Sequence, residues 1–222
     1  MKALFIFAII LAGFLFSPSE VLGQSKFAFS ATVAPFYGHI NSKNIFVVPS
    51  YSVGGGLITT EMKSKTTTKG YWVGLNGRYS FSSKWSASTG LWLSESRQSV
   101  SDITFTPAVP YYTGRSKSHN FAIPVIVNFQ TSESKLSPYF SAGALWNFNS
   151  TSRLNISSSE SYIVFKSNNS KVTPMVGAGV IYNFAQHLSV IAQPTFGYVI
   201  PSSGIDSHAY RLSFNLQLMY KL

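Results

Sequence analysis

The chain is 222 residues long, carries 17 Lys and Arg against 7 Asp and Glu for a formal charge of +10, and contains no cysteine. The missing cysteine excludes a disulfide framework, a thiol nucleophile, Cys-ligated zinc and a lipid-modified cysteine. Charged residues make up 11% of the sequence and aromatic residues 15%, whereas ordinary soluble domains carry about 25% charged residues, so this chain has too little charge to wet a normal protein surface.

At the N-terminus, Met1 and Lys2 precede ALFIFAIILAGFLF, an uncharged run that is followed by SPSEVLGQ, where Val21 and Gly23 are small enough to precede a signal-peptidase cut. The pattern predicts a cleaved secretory signal peptide over 1–23 and one domain over 24–222. An uncleaved membrane helix would need roughly 20 apolar residues. Cleavage leaves the charge at +10, because Lys2 and Glu20 leave together. A basic balance of this size often means nucleic acid, but an exported chain is expected to meet none. Envelope phosphates are the expected counter-charge.

Beyond the leader, period-2 alternation predicts eight strands: 26–37, 71–81, 85–94, 120–130, 138–149, 172–184, 188–200 and 209–222. In the second, Tyr71, Val73, Leu75, Tyr79 and Phe81 share one face, and Trp72, Gly74, Asn76, Arg78 and Ser80 the other. In the last, Tyr210, Leu212, Phe214, Leu216, Leu218, Tyr220 and Leu222 alternate with Arg211, Ser213, Asn215, Gln217, Met219 and Lys221. One face of each strand is oily; the other is small or amide-bearing. Connections 82–84, 131–137 and 185–187 are short, whereas 38–70, 95–119, 150–171 and 201–208 are longer and rich in Ser, Thr, Asn and Lys. Residues 51–63 also alternate; they read as an extension of the first hairpin, and would change the strand number if they crossed a membrane.

Charge placement separates a sandwich from a membrane barrel. Inside the eight segments the charged residues are Lys26, Arg78, Arg211 and Lys221, with no acid. A soluble sandwich would wet its outer faces, whereas a transmembrane barrel turns its apolar face to lipid and pairs every backbone amide by closure. The expected fold is all-β: a closed antiparallel transmembrane barrel of eight strands, with short periplasmic turns and long extracellular loops.

KFAFSATVAPFY, YWVGLNGRYSFSSKWSASTGLWLS, NFAIPVIVNF, PYFSAGALWNF, VGAGVIYNF and the Tyr-Lys-apolar end resemble the small outer-membrane β-barrel proteins of Bacteroidota, in the porin-like or OmpA-like barrel superfamily. The resemblance spans the mature chain and is one of architecture. It implies the outer membrane as location, and recognition of the C-terminal strand by the barrel-assembly machinery through Tyr220. Leu222 stands where Phe is commoner.

Candidate sites are few. His39, His119, His187 and His208 show no metal-ligand spacing, so neither a metal nor another cofactor is expected. A lipid A-modifying barrel hydrolase would use a histidine at the outer rim, with His119, or His208 beside Asp206, as candidates. That pattern wants a serine two residues on, where Phe121 and Tyr210 stand, so no catalytic residue is assigned. Arg78 and Arg211 have lumen parity on strands flanking the first, and read either as a charged gate or as buried cations bonded to Asn76, Asn215, Gln217 and water. The long connections carry Lys43, Lys63, Lys65, Lys69, Arg97, Arg115, Lys117, Arg153, Lys166 and Lys171 against Glu61, Asp102, Glu160 and Asp206. Of these, Lys63, Lys65, Lys69, Arg115, Lys117, Lys166 and Lys171 are the candidate contacts to lipopolysaccharide or to an unknown protein partner. The expected function is a non-enzymatic membrane anchor displaying basic loops; a narrow channel and an accessory subunit of a secretion or uptake complex remain as alternatives.

Overall fold

The structure is a computed structural model that describes residues 26–49, 56–106, 115–155, 162–167, 171–200 and 206–222. The predicted signal peptide and its cleavage point lie outside the described residues. Nine strands follow in chain order: β1 (Phe27–Pro49), β2 (Leu57–Ser80), β3 (Trp85–Thr106), β4 (Arg115–Gln130), β5 (Leu136–Asn155), β6 (Tyr162–Ser167), β7 (Lys171–Asn183), β8 (Leu188–Val199) and β9 (Asp206–Lys221).

Every pairing is antiparallel, and the sheet has no free side at membrane height. β1 pairs with both β2 and β9, and the β4–β5 pair joins the two ends of the order β4-β3-β2-β1-β9-β8-β7-β5. β5 pairs with β7 along Leu136 to Asn147 and with β6 along Ser150 to Asn155, so β6 stands above β7 in a single position of the ring. The ring therefore has eight positions although the described residues form nine strands.

Following partners outward from Phe27 leads through Tyr79, Ala87, Val127, Ala142, Val176, Phe196 and Leu212 back to β1 at Tyr37, ten residues beyond the start (37 − 27). That stagger tilts the strands, as closure of a narrow sheet requires. Along β9 the outward residues from Tyr210 to Tyr220 are all exposed and apolar or aromatic. Ten steps of about 3.3 Å at a tilt of about 40° give a band about 25 Å tall, the height of an outer-membrane apolar belt. Aromatic contacts mark both its edges: Phe27 with Tyr79 at 5.1 Å and Trp85 with Phe129 at 4.7 Å on the short-turn side, Trp146 with Phe148 at 5.3 Å on the other.

The strands differ from the expected ones above this belt. Predicted loops 38–70 and 95–119 are largely strand: β1 runs to Pro49, β2 begins at Leu57, β3 reaches Thr106 and β4 starts at Arg115. Residues 57–63 continue in one strand with 71–80, paired with 43–49, so they extend the first hairpin and add no crossing. Residues 51–55 lie outside the described residues. The expected eight strands become nine because YIVFKS, inside predicted loop 150–171, pairs as β6. Hydroxyl and β-branched side chains alternate in these polar stretches, and they suit a pleated, solvated ribbon as well as apolar ones do; Ser42 and Ser64, for example, meet across the β1–β2 pair at 2.8 Å.

Turns at the opposite end follow local chemistry. The Ser82 hydroxyl accepts from the amides of Lys84 and Trp85 at 3.3 and 3.0 Å, a side-chain turn that reverses β2 into β3. Ala185 and Leu188 exchange backbone bonds of 3.3 Å between β7 and β8. Leu222 donates to Phe27 O at 3.1 Å, which brings the first and last strands together at this end.

The inside–outside assignment has a direct test. Leu216→Arg places a cation on the lipid side of mid-β9, costing about 2 to 4 kcal/mol near the bilayer midplane, whereas Gln217→Glu changes the opposite face, where the interior already holds uncompensated cations. Folded, heat-modifiable protein on gels should fall sharply for the first and much less for the second. Equal yields would refute the facing.

Candidate functional site

Two layers of side chains fill the interior. The upper layer joins Ala34, Phe36, Trp72, Trp92, Ala122, Ile126, Leu145 and Met175; the lower joins Ala28, Tyr139, Ile181, Ile191 and Met219. Trp72 and Trp92, on neighbouring strands β2 and β3, pack at 6.2 Å between ring centroids. Gly74 makes this possible, since a β-carbon there would collide with Cδ1 of Trp92 and the carbonyl oxygen of Leu91. The Trp92 indole donates to Asn76 Oδ1 at 2.7 Å, and the Asn76 amide donates to Thr32 Oγ1 at 2.7 Å and Ser30 Oγ at 3.3 Å. The void left among Trp72, Trp92, Leu145, Met175 and Arg211 is about 10 Å³, no larger than one water needs. The lumen is a plug, with Trp72, Trp92, Met175 and Met219 inward as their parity predicts.

Both arginines project into this interior from β2 and β9, the two strands flanking β1. Their partners differ from the expected amides. Asn76 is committed to Trp92, Thr32 and Ser30, and Arg78 instead donates to the Tyr139 hydroxyl and, at 3.3 Å, to Met219 Sδ. The Arg211 guanidinium lies 4.7 Å over the Phe36 ring and 5.6 Å from that of Trp72, and its buried Nη1 has no hydrogen-bond partner among the described residues. Cation–π attraction, about 2 kcal/mol or more once desolvated, takes the place of a carboxylate. Inward parity was readable for each of these residues; which ones meet depends on the stagger between strands, which no single strand's pattern records.

The basic candidates occupy the polar extension above the belt. Lys63 and Lys43 each lie 3.0 Å from Glu61, and Lys65 lies 3.7 Å from Asp102. Bonds from Lys63 and then Lys43 hold the Glu61 carboxyl below the usual carboxylate range. Arg115 stands in register with Ser99 and Asn155, Lys166 with Thr151, and Lys171 with Asn147. Register gathers the rest: Lys69 pairs with Arg97, Arg97 with Lys117, and Lys117 with Arg153. Four cationic residues thus hold successive positions on β2, β3, β4 and β5. The row immediately below is Tyr71, Glu95 and His119, where Lys117 binds Glu95 at 2.7 Å and lowers its carboxyl pKa.

Three of the histidines each bond a different neighbour. His39 bonds Asn41 at 2.9 Å, His208 bonds the Tyr198 hydroxyl at 3.1 Å, and His187 bonds Lys221 O at 3.0 Å at the short-turn end. Among the described residues no three His, Asp or Glu side chains are grouped to hold a metal.

Comparison with solved structures gives the same architecture. The chain is similar to the outer membrane protease OmpT from Escherichia coli at TM-score 0.51 and 8% identity, covering 91% of this chain and 99% of that one. It is also similar to OprG of Pseudomonas aeruginosa (TM-score 0.46, 15% identity, 91% and 99%) and to Neisserial surface protein A (TM-score 0.39, 15% identity, 90% and 99%). The first is a likeness of fold alone. No curated protein matches the sequence. The family model of the outer membrane protein beta-barrel domain matches residues 23–197, most of the chain and seven of the nine described strands in full, and the protein belongs to that family of outer-membrane barrels.

Proposed function

We propose that the protein is a non-enzymatic, plugged outer-membrane anchor whose cationic row binds lipopolysaccharide phosphates. The observation that carries this is the register of Lys69, Arg97 and Lys117, with Arg153 in the next position, one row above the edge of the apolar belt. Lipid phosphates lie at that height. Like charges directly opposite one another on a sheet repel, and Glu95, the carboxylate among the described residues that binds the row, leaves cations in excess; anionic headgroups complete the balance. The short-turn end faces the periplasm in this reading, and the barrel-assembly machinery inserts the chain from that side.

A second reading, an accessory subunit, rests on the hairpin tip. Ile45, Val47 and Leu57 are 68%, 62% and 74% exposed, and Ile45 stands eight residues beyond Tyr37, roughly 26 Å along the strand. Apolar side chains that far above lipid suit a protein partner.

Orientation is tested with single cysteines. Thr67→Cys should react with an impermeant maleimide on intact cells and Ser83→Cys should not; the reverse pattern would invert the barrel. Replacing Lys69, Arg97 and Lys117 together with serine should lower co-purified lipopolysaccharide several-fold while the protein still folds, and unchanged lipopolysaccharide would refute the phosphate reading. The plug makes a further prediction: planar bilayers should show no steady unit conductance in molar salt. Uniform open channels would replace the anchor by a porin.

A further inference from the structure

The short-turn end of the barrel opens into a cavity of about 980 Å³, at the upper end of the size range of small-molecule sites. It is a cup and not a passage. Tyr139, Ile181, Ile191 and Met219, none more than 2% exposed, close it toward the interior, and the Trp72–Trp92 layer lies above them. A ligand would enter and leave by the same mouth.

One wall of the cup concentrates positive charge. Lys221 on β9 and Arg78 on β2 both pair with Ala28 of β1, from opposite sides. Lys26 lies one inward position below Ala28, where its carbonyl accepts from Ser80 N at 2.7 Å. Three cationic side chains on adjacent strands therefore line the same stretch of wall, and Lys84 and Lys135 add to the rim. The hydrogen-bond partners of Arg78 and Lys221 are neutral, although the Glu133 carboxylate also acts on Lys221. Arg78, 8% exposed, donates to the Tyr139 hydroxyl and the Met219 sulfur, and Lys221 Nζ donates to Asn183 Oδ1 at 3.0 Å. Among the described residues of the lining, Glu133 is the one acidic side chain. Five cations against one carboxylate leave an excess that even a carboxyl group at Leu222 would not cancel.

A half-buried like-charge cluster is costly unless something anionic offsets it. A solvated lysine fringe would account for Lys84 and Lys135, which are exposed, but not for a guanidinium and an ammonium set across an alanine at the foot of a closed cup. We infer that this cup is a binding site for a phosphate monoester or phosphate headgroup, held by Lys26, Arg78 and Lys221. Arg78 supplies planar paired donors and the two lysines movable point charges, the combination that suits a compact phosphate oxyanion. The site goes beyond the anchor reading and stands at the opposite end of the barrel from the cationic row.

The test uses the full mature barrel in an uncharged detergent, titrated with glycerol 1-phosphate, and in nanodiscs with and without phosphatidylglycerol. Amide resonances of Ala28, Arg78 and Lys221 should shift saturably, and the apparent affinity should fall at least tenfold for Lys26→Gln with Lys221→Gln. Saturation by glycerol 1-phosphate in detergent would identify a soluble ligand class; shifts confined to phosphatidylglycerol nanodiscs would identify a lipid headgroup. If neither probe moves those resonances in the unmodified protein, or if a folded double variant binds as tightly as the parent, the inference is wrong. The resonance readout on the unmodified protein decides the matter even if the double variant does not fold.

Discussion

Closure is the constraint on which the rest depends. In a bilayer each unpaired backbone N–H or C=O costs several kcal/mol, so a sheet of eight positions is tolerable there only if the last edge meets the first. The pairs β1–β9 and β4–β5 satisfy that demand. Proline shows how closely the demand is met. Pairing of β1 with β9 skips from Val33 to Phe36 around Pro35, and pairing of β3 with β4 skips from Trp92 to Thr89 around Pro124. A residue without an N–H forfeits a ladder bond, and the sheet confines the loss to one side: Pro35 keeps its place opposite Tyr71, and Pro124 opposite Leu145.

Closing so few strands leaves an interior that side chains must fill, and packing there follows from which residues the stagger sets face to face. Large and small alternate across neighbours. Gly74 gives way to Trp92, and a β-carbon at Gly90 would strike Asn76, the residue that ties Trp92 to Thr32 and Ser30. The polar filling is unevenly satisfied: among the described residues, Trp72 Nε1, Gln193 Nε2 and Asn215 Oδ1 have no hydrogen-bond partner. Arg211 is the clearest case: held by ring faces with no acceptor on Nη1, it keeps a cation in an enclosed space by the weaker of the two available means. A carboxylate would bind it more tightly, but none of the described strands provides one at this height.

Much of this was legible in the sequence because lipid imposes a period. Where one face must be oily, alternation is strict, and the parity of Leu216, Trp72, Arg78 and Met219 could be read directly from it. Above the belt both faces meet water, the oily face is no longer required, and strand and loop become hard to tell apart; hence 38–49, 64–70 and 95–106 read as loops although they are strands, while the alternation of 57–63 was enough to read them as part of the first hairpin. The cationic row was hidden for a different reason. Lys69, Arg97, Lys117 and Arg153 are far apart in the chain, and only the inter-strand register aligns them. The same ignorance of register assigned the arginines to amides when Tyr139, Phe36 and Trp72 were their neighbours.

Stagger also explains how two interior arginines fit among described strands that turn no acid inward at membrane height. Arg78 and Arg211 sit on the strands either side of β1, and in an unstaggered ring both would oppose the same residue of it, two strand spacings apart, or about 10 Å. In an enclosed, poorly screened lumen that repulsion would be severe. The register line that leaves Arg78 passes through Ser88, Ile126, Gly143, Met175 and Gly197 before it reaches Arg211. It climbs the whole ring on the way, so Arg78 faces Ala28 while Arg211 faces Gly38, separated by roughly 33 Å of strand. Each cation then meets its own layer: Arg78 the phenol and thioether at the foot, Arg211 the rings of the plug. The tilt that closes the backbone is thus also what keeps the two charges apart.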